Sequence, residues 1–164
     1  MKTQKLTLAA LFIAFATLTA HVFYIPAGVA KCFPIQHTVN VLSGVILGPW
    51  YAVSIAFLTS LLRNILGTGS LLAFPGSMVG AFLAGMLYQK TGNQLMASLG
   101  EIVGTGFLGA IAAYPVVKLL MGQDIAMFFY VVPFFTSTTG GTIIANLLLK
   151  AIASLKLIKL NSAS

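Results

Sequence analysis

Long apolar runs alternate along the chain with short breaks that contain proline, glycine or charged residues. A helix needs about 20 mostly apolar residues to cross the hydrocarbon core of a bilayer. The runs therefore predict an all-α integral membrane protein with transmembrane helices at residues 6–25, 35–47, 50–66, 71–88, 95–117 and 125–149. Pro133 is expected to break the last of these helices.

The stretch at 35–62 allows two interpretations. It can hold two short or tilted helices if Gly48 and Pro49 form a turn, because proline lacks an N–H donor and restricts the residue before it. It can also be one long span with a polar entry. The first interpretation gives six crossings and the second gives five.

The basic residues at the two ends decide between five and six crossings. Lys2 and Lys5 flank the first run, and Lys150, Lys156 and Lys159 follow the last. Cytoplasmic flanks of membrane helices are enriched in lysine and arginine, so both termini are expected to be cytoplasmic. Two cytoplasmic ends require an even number of crossings, and we therefore expect six.

The composition supports a membrane protein. Of the 164 residues 59% are hydrophobic and only 7% are charged, against about 25% charged in soluble domains. We expect one membrane domain over 1–164, with a short disordered end at 161–164. The net charge is +7, but the cations separate apolar runs instead of forming a patch, so a nucleic-acid partner is not expected.

Pairs of small residues four apart recur in the predicted helices. Such pairs let helix backbones approach closely in a bilayer, and most are expected to pack the bundle. An outward-facing alanine stripe on the first helix would instead offer a surface to a partner membrane protein. The pairs are Ala10/Ala14, Ala16/Ala20, Gly76/Gly80, Gly80/Ala84, Gly100/Gly104, Gly106/Ala110 and Gly141/Ala145.

Polar residues gather in three segments, at 31–40, 63–70 and 130–139. With six crossings all three segments face outside, which suggests an outward-facing pocket for a small ligand. The run at 134–139 combines aromatic rings and hydroxyls. These hydroxyls can line a pocket or bond back to the helix backbone.

Single polar residues leave further alternatives open. His37 and Asn40 share a helix face and can contact ligand or bond another helix. Arg63 is either a ligand group or an anchor at the membrane interface. Glu101, expected near the cytoplasmic end of its helix, can pair with a cytoplasmic lysine or serve as a proton-coupled site. Cys32 is expected to be inert.

The sequence does not indicate an enzyme. Asp124 and Glu101 are far apart in the chain, so paired-carboxylate catalysis is not indicated. His21 and His37 are too few for a zinc site without neighbouring carboxylates. We expect no catalytic residue, no bound metal and no cofactor.

Several motifs resemble those of the substrate-binding S components of energy-coupling factor (ECF) vitamin transporters. They are the Ala10/Ala14 pair, the turn LGPWYA at 47–52, the helix entry AFPGS at 73–77 and the segment GMLY at 85–88. The segments VAKCFPIQH at 29–37, SLLRN at 60–64 and GTG at 67–69 are similar to the ThiW family in particular.

The resemblance implies an S-component-like bundle in a prokaryotic plasma membrane that binds a thiamine precursor, hydroxyethylthiazole. Its partners would be a transmembrane coupling protein and two cytoplasmic ATPase subunits that supply the energy. In the family the alanine motif of the first helix contacts the coupling protein, a role that Ala10 and Ala14 would have here.

A pocket for a thiazole alcohol needs apolar walls and one or two hydrogen-bond partners. The alternatives are a stand-alone carrier in which Glu101 couples a proton, and an S component for another precursor such as hydroxymethylpyrimidine. The substrate-binding candidates are His37, Asn40, Asn64, Phe74, Ser77, Tyr114, Tyr130, Phe134, Ser137 and Thr138.

Overall fold

The computed structural model describes residues 2–20, 22–27, 30–122, 124 and 126–155. Over these residues the chain forms six helices and one short strand pair, in which β1 (Ile25–Ala27) runs antiparallel to β2 (Ala30–Cys32). His21, Lys156, Lys159 and the expected disordered end at 161–164 lie outside the described residues. The helices are α1 (Lys2–Thr19), α2 (Pro34–Leu47), α3 (Pro49–Ile65), α4 (Ala73–Thr91), α5 (Gln94–Leu120) and α6 (Val131–Ser154).

The outer surface of the bundle is apolar. Large side chains such as Leu6, Phe15, Phe107 and Leu147 are between 48% and 63% exposed, which suits contact with lipid. Among the described residues two helices, α5 and α6, are long and apolar enough to cross a membrane. The six helices correspond to the six predicted runs, while the number that cross the bilayer and the side of the termini stay predictions.

The predicted boundaries of the first and last helices are wrong. The first helix ends at Thr19, whose carbonyl accepts from the Phe23 N–H at 2.8 Å, and Ile25 belongs to β1 rather than to the helix. The last helix begins at Val131 rather than at 125. Pro133 does not break it, because proline in the first turn of a helix removes no intrahelical hydrogen bond.

The turn between α2 and α3 confirms the two-helix interpretation of 35–62. Gly48 ends α2 with a φ of 95°, a left-handed conformation that glycine adopts without steric cost. Pro49 then occupies the first position of α3, where its fixed φ suits the helix.

Of the described helices, the one with the most buried polar side chains, α2, lies at the centre of the bundle. α2 contacts each of the other five helices, and most of its residues are buried, among them Gln36, His37, Asn40 and Ser43. Buried polar side chains are costly unless they are hydrogen-bonded, and these four all have partners. The polar pattern of α2 therefore reflects an interior network.

Glycines bring α4 against both α2 and α5. A Cβ added to Gly104 would lie 2.6 Å from the Cα of Gly80, and one added to Gly44 would lie 2.9 Å from the Gly85 nitrogen. The helix backbones are in direct contact at these points, as in small-residue packing in membranes. The predicted Gly76/Gly80 and Gly100/Gly104 pairs both lie in the α4–α5 contact.

The middle of α5 is a π-helix. Ordinary α-helix over Gln94–Glu101 continues into a π-helical segment at Ile102–Gly109 and returns to α-helix at Ala110–Leu120. A π-helix forms i→i+5 hydrogen bonds and often occurs at functional sites. This segment begins directly after Glu101, and no feature of the hydrophobic pattern predicted it.

Candidate functional site

A cavity of about 470 Å³ is lined by residues of four helices and one loop. Its walls come from the starts of α2, α4 and α6, the π-helical segment of α5 with Met121 beyond its end, and the loop at 66–72 that joins α3 to α4. The three polar segments at 31–40, 63–70 and 130–139 all contribute to it, so the prediction that they meet is confirmed. The apolar lining consists of Phe33, Leu72, Ala73, Met121, Tyr130, Pro133 and Phe134.

The polar lining is concentrated on the α2 side and in the α3–α4 loop. Ser137 belongs to this set and also accepts a hydrogen bond from the Phe33 N–H at 2.8 Å, which fixes the start of α2 against α6. Flat apolar walls together with a few placed polar groups are typical of a small-molecule pocket. The polar lining side chains are Gln36, His37, Thr68, Ser70, Ser77, Thr105 and Ser137.

A carboxylate lies directly behind the cavity wall. Glu101 is 0% exposed, and its Oε1 lies 2.8 Å from His37 Nδ1 and 3.0 Å from the Asn40 Nδ2 that donates to it. Thr105 Oγ1 lies 3.0 Å from the same oxygen and 3.0 Å from the Gly76 carbonyl. We call Glu101, His37, Asn40 and Thr105 the acid cluster.

The acid cluster gives Glu101 a histidine as its partner. Of the described residues His37 alone forms an ion pair with it, whereas one interpretation of the sequence paired it with a cytoplasmic lysine. His37 and Asn40 bond across helices, as one of the two alternatives predicted. His37 also lines the cavity, so for this residue both alternatives remain compatible.

A second buried charge lies on the other side of α2. Arg63 is 1% exposed, and its guanidinium donates to Gln36 Oε1 and, at 3.0 Å, to the Thr68 carbonyl. Its Cζ lies 3.8 Å from the centre of the Phe33 ring, within the range of a cation–π interaction. The interpretation of Arg63 as an anchor exposed at the membrane interface is therefore wrong.

Arg63 and its neighbour Asn64 hold the loop that covers the cavity. The Arg63 carbonyl accepts from the N–H groups of Thr68 and Gly69 at 2.9 and 2.8 Å. The Asn64 amide donates to the Ser70 carbonyl at 3.2 Å. Both charged and neutral contacts thus fix this loop against the end of α3.

The two buried charges belong to one polar network. Gln36 Nε2 donates to Ser60 Oγ at 3.1 Å, and Ser60 Oγ lies 3.2 Å from Ser77 Oγ. The Ser77 carbonyl then accepts from Asn40 Nδ2 at 3.3 Å. Hydrogen bonds therefore connect the Arg63 side of α2 to the acid cluster through α3 and α4.

Five of the predicted binding residues line the cavity. They are His37, Ser77, Tyr130, Phe134 and Ser137. The ring centroids of Tyr130 and Phe134 are 5.8 Å apart, so the two rings form one aromatic part of the lining. Whether these residues bind ligand stays a prediction.

The other five predicted binding residues do not line the cavity. Asn40 lies behind His37 in the acid cluster, and Asn64 supports the loop. Phe74 packs on Phe57 with ring centroids 5.7 Å apart. Tyr114 accepts from Lys118 at 3.4 Å, and the buried Thr138 hydroxyl bonds to backbone carbonyls of its own helix.

Sequence reasoning missed several lining residues. Gln36 lies beside His37 in a segment already identified as polar, so it could have been predicted as a lining residue. Thr105 follows Glu101 by four residues, a spacing that places both on one helix face. Phe33 and Met121 carried no signal, because isolated apolar residues at helix ends are common in any membrane protein.

The lone cysteine lies beside the cavity without entering its lining. Cys32 is buried, and its thiol donates to the Pro133 carbonyl at 3.2 Å. Burial raises the pKa of this thiol, which favours the neutral and weakly nucleophilic form. Among the described residues there is no group of three histidine, cysteine or carboxylate side chains placed to hold a metal ion.

The first helix presents its alanine pair outward. Ala10 and Ala14 are exposed, whereas Ala9 and Ala16 are buried in the bundle. A smooth strip on a lipid-facing helix permits close approach of another helix. The Ala10/Ala14 strip therefore lies on the surface, as a partner contact would require.

A model of one protein family matches residues 6–155, which is most of the chain. The family is described as thiamine-precursor transporter protein (ThiW). No curated protein matches the chain.

Proposed function

Since the chain belongs to the ThiW family of thiamine-precursor transporters, we propose that it is the substrate-binding subunit of an ECF-type importer for hydroxyethylthiazole. A transmembrane coupling protein and two cytoplasmic ATPase subunits would supply the energy. The observation that carries the proposal is the cavity of about 470 Å³, which is lined by aromatic rings and by hydrogen-bonding side chains.

The lining suits a small neutral heterocycle. The Tyr130 and Phe134 rings offer faces to a flat thiazole, while His37, Ser77 and Ser137 lie among the polar lining groups. A thiazole alcohol carries two polar groups, the ring nitrogen and the hydroxyl, and each needs a partner when it leaves water. The volume is within the usual range for small-molecule pockets, about 300 to 1,000 Å³.

The helix order supports an orientation with the cavity outside and both termini in the cytoplasm of a prokaryotic cell. The cavity is built where α2, α4 and α6 begin, which is after one, three and five crossings if all six helices span the bilayer. Both termini then lie on the opposite side, where Lys2, Lys5 and Lys150 satisfy the preference for cytoplasmic basic residues.

The outward-facing Ala10 and Ala14 support the coupling role. We assign these two residues to the contact with the coupling protein, because α1 offers exposed small residues there. Few charged groups lie on the surface of the described bundle, so little charge would have to cross hydrocarbon if the subunit tipped in the membrane.

Titration calorimetry on the detergent-purified chain tests the substrate. Hydroxyethylthiazole, hydroxymethylpyrimidine, thiamine and riboflavin are compared in parallel, and tight binding of the thiazole alone is expected. Binding of hydroxymethylpyrimidine instead would keep a binding subunit and replace its substrate. A folded sample that binds none of the four contradicts the proposal.

The buried Glu101–His37 pair beside the cavity supports a second candidate, a stand-alone carrier that couples a proton to transport. Reconstitution separates the two functions. The carrier takes up labelled thiazole in liposomes that contain only this chain and a pH gradient. The ECF subunit takes up none until the coupling protein and ATP-loaded ATPases are added.

A further inference from the structure

The acid cluster controls the one ring nitrogen of His37 that is left for a ligand. His37 Nδ1 is occupied by Glu101 Oε1 at 2.8 Å, and the imidazole as a whole lines the cavity. Of its two nitrogens only Nε2 remains for a ligand, and the described residues supply it with no hydrogen-bond partner. The hydrogen-bonding character of Nε2 therefore decides what the cavity recognises here.

Oε1 of Glu101 is placed as a hydrogen-bond acceptor. The Asn40 amide donates to Oε1 at 3.0 Å, and His37 Nδ1 lies 2.8 Å from the same oxygen. The Thr105 hydroxyl lies 3.0 Å from both this oxygen and the Gly76 carbonyl, and its one proton can go to either. A fully buried carboxylate needs a compensating positive charge close by. Within the described residues the other buried cation, Arg63, is engaged by Gln36 and Thr68, which leaves His37 to provide that charge.

On these contacts, and resting on the proposed function, we infer that Glu101 holds His37 with protons on both nitrogens, so that Nε2–H donates to the ring nitrogen of the substrate. Glu101 is a positioning residue that acts through His37. The ligand class is then an aromatic nitrogen heterocycle with a free lone pair. A thiazole whose nitrogen is alkylated, as in a thiazolium cation, has no lone pair to accept the bond and brings a second positive charge to the imidazolium.

The inference predicts a specific selectivity. Hydroxyethylthiazole should bind the wild-type chain more tightly than its thiophene counterpart, which keeps the hydroxyethyl group and lacks the ring nitrogen. A hydrogen bond with one charged partner corresponds to a difference on the order of 10- to 100-fold. The N-methylthiazolium analogue should bind at least as weakly as the thiophene.

Glu101→Gln is the decisive variant. The glutamine keeps the shape and can still accept from Nδ1, but it removes the charge that holds the second proton on His37. Nε2 then presents a lone pair to the lone pair of the thiazole. The preference for thiazole over thiophene should fall to about onefold while thiophene affinity stays near the wild-type value, whereas loss of folding alone would weaken both ligands together.

Two further measurements complete the test. Ser98→Ala, a buried polar change on α5 outside the cavity that removes the contact with Asn146, should keep the full selectivity. Nitrogen-15 NMR of labelled histidine, with a His37→Ala sample to assign the signal, should show two protonated nitrogens in the wild type and one in Glu101→Gln.

The outcomes separate the two proposals. Equal wild-type affinity for thiazole and thiophene overturns the inference and leaves the proposed function intact. Selectivity that survives in Glu101→Gln also overturns it, as does a wild-type His37 with one ring proton. If the wild type binds neither compound, the proposed function fails and this inference fails with it.

Discussion

Gln36 and His37 are neighbours in the chain, yet they hydrogen-bond to buried groups of opposite charge on different helices. Gln36 accepts from Arg63 of α3, and His37 meets Glu101 of α5 at 2.8 Å. Successive helical residues point about 100° apart, so one turn of α2 serves both contacts. The first turn of α2 therefore contacts both the guanidinium of Arg63 and the carboxyl group of Glu101.

Replacing Arg63 is expected to weaken both the fold and ligand binding. Arg63→Met leaves Gln36 and the Thr68 carbonyl without their donor, which should cost about 1–3 kcal/mol of stability and raise the Kd for hydroxyethylthiazole. Arg63→Lys should recover little, since a single ammonium cannot reproduce the planar guanidinium fork that reaches both partners. Thermal unfolding in detergent and titration calorimetry measure the two effects.

Lys90→Met, at the exposed end of α4, is the control for loss of a positive charge. It should leave both the stability of the fold and the Kd for hydroxyethylthiazole unchanged. An Arg63→Lys variant that matches the wild type would show that charge alone, and not the two-sided contact, is what the loop requires.

Adjacent phenylalanines on α6 provide a test of the aromatic part of the lining. Phe134 lines the cavity, while Phe135 is 50% exposed on the outer surface. Phe134→Ala should raise the Kd for hydroxyethylthiazole roughly tenfold through lost apolar contact, and Phe135→Ala should not change it. Calorimetry on both variants measures the Kd. An equal change of the Kd in the two variants would mean that the ligand does not bind against Phe134.

The contact between α4 and α5 should not tolerate one added methyl group. Gly104→Ala puts a Cβ 2.6 Å from the Gly80 Cα, so the helices must separate, and overpacking of this kind costs about 1–3 kcal/mol. Gly140→Ala meets only ordinary contacts at 3.8 Å with Pro34. It should be neutral or slightly stabilising, because alanine favours a helix.

Thermal unfolding of the two alanine variants, side by side, is the measurement. The unfolding temperature should fall for Gly104→Ala alone. A Gly104→Ala protein as stable as the wild type would mean that the close backbone approach is not required.

A large side chain on the outer face of α1 should abolish transport without affecting substrate binding. Ala14→Trp places a large ring at an exposed position, so hydroxyethylthiazole affinity should stay the same while ATP-dependent uptake with the partner subunits is lost. Leu147→Trp, on the exposed face of α6, should preserve both. Uptake in reconstituted liposomes and calorimetry on the isolated subunit measure the two properties, and full uptake by Ala14→Trp would contradict the assigned contact.

The sequence predicted the helices better than the side-chain contacts. Runs of apolar residues and the Gly48–Pro49 turn are local signals, so five of the six helices begin within about four residues of the predicted position. Arg63 and Glu101 were misplaced because their partners come from distant parts of the chain, and a single sequence carries no record of such pairing.

Within the candidate site, residues near helix starts were predicted well and those deeper in α5 poorly. His37 and Ser137 belong to polar segments that six crossings would place on one side of the membrane. Tyr114 was chosen by its side of the membrane and its depth, and the structure directs it to Lys118 instead. The depth of a residue in the membrane does not tell in which direction around the helix axis its side chain points. In α5 the π-helical segment changes this direction for the residues that follow it.

That segment makes the spacing of α5 as important as its composition. Each residue in an α-helix advances the chain by about 100° around the axis, so removing one residue between Glu101 and Ala110 would turn one half of α5 against the other. Every side chain of the acid cluster could be retained and the acid would still face a different neighbour. An insertion or a deletion within Ile102–Gly109 would therefore be more disruptive than most substitutions there. The rotation of one half of α5 relative to the other depends on the number of residues in this segment.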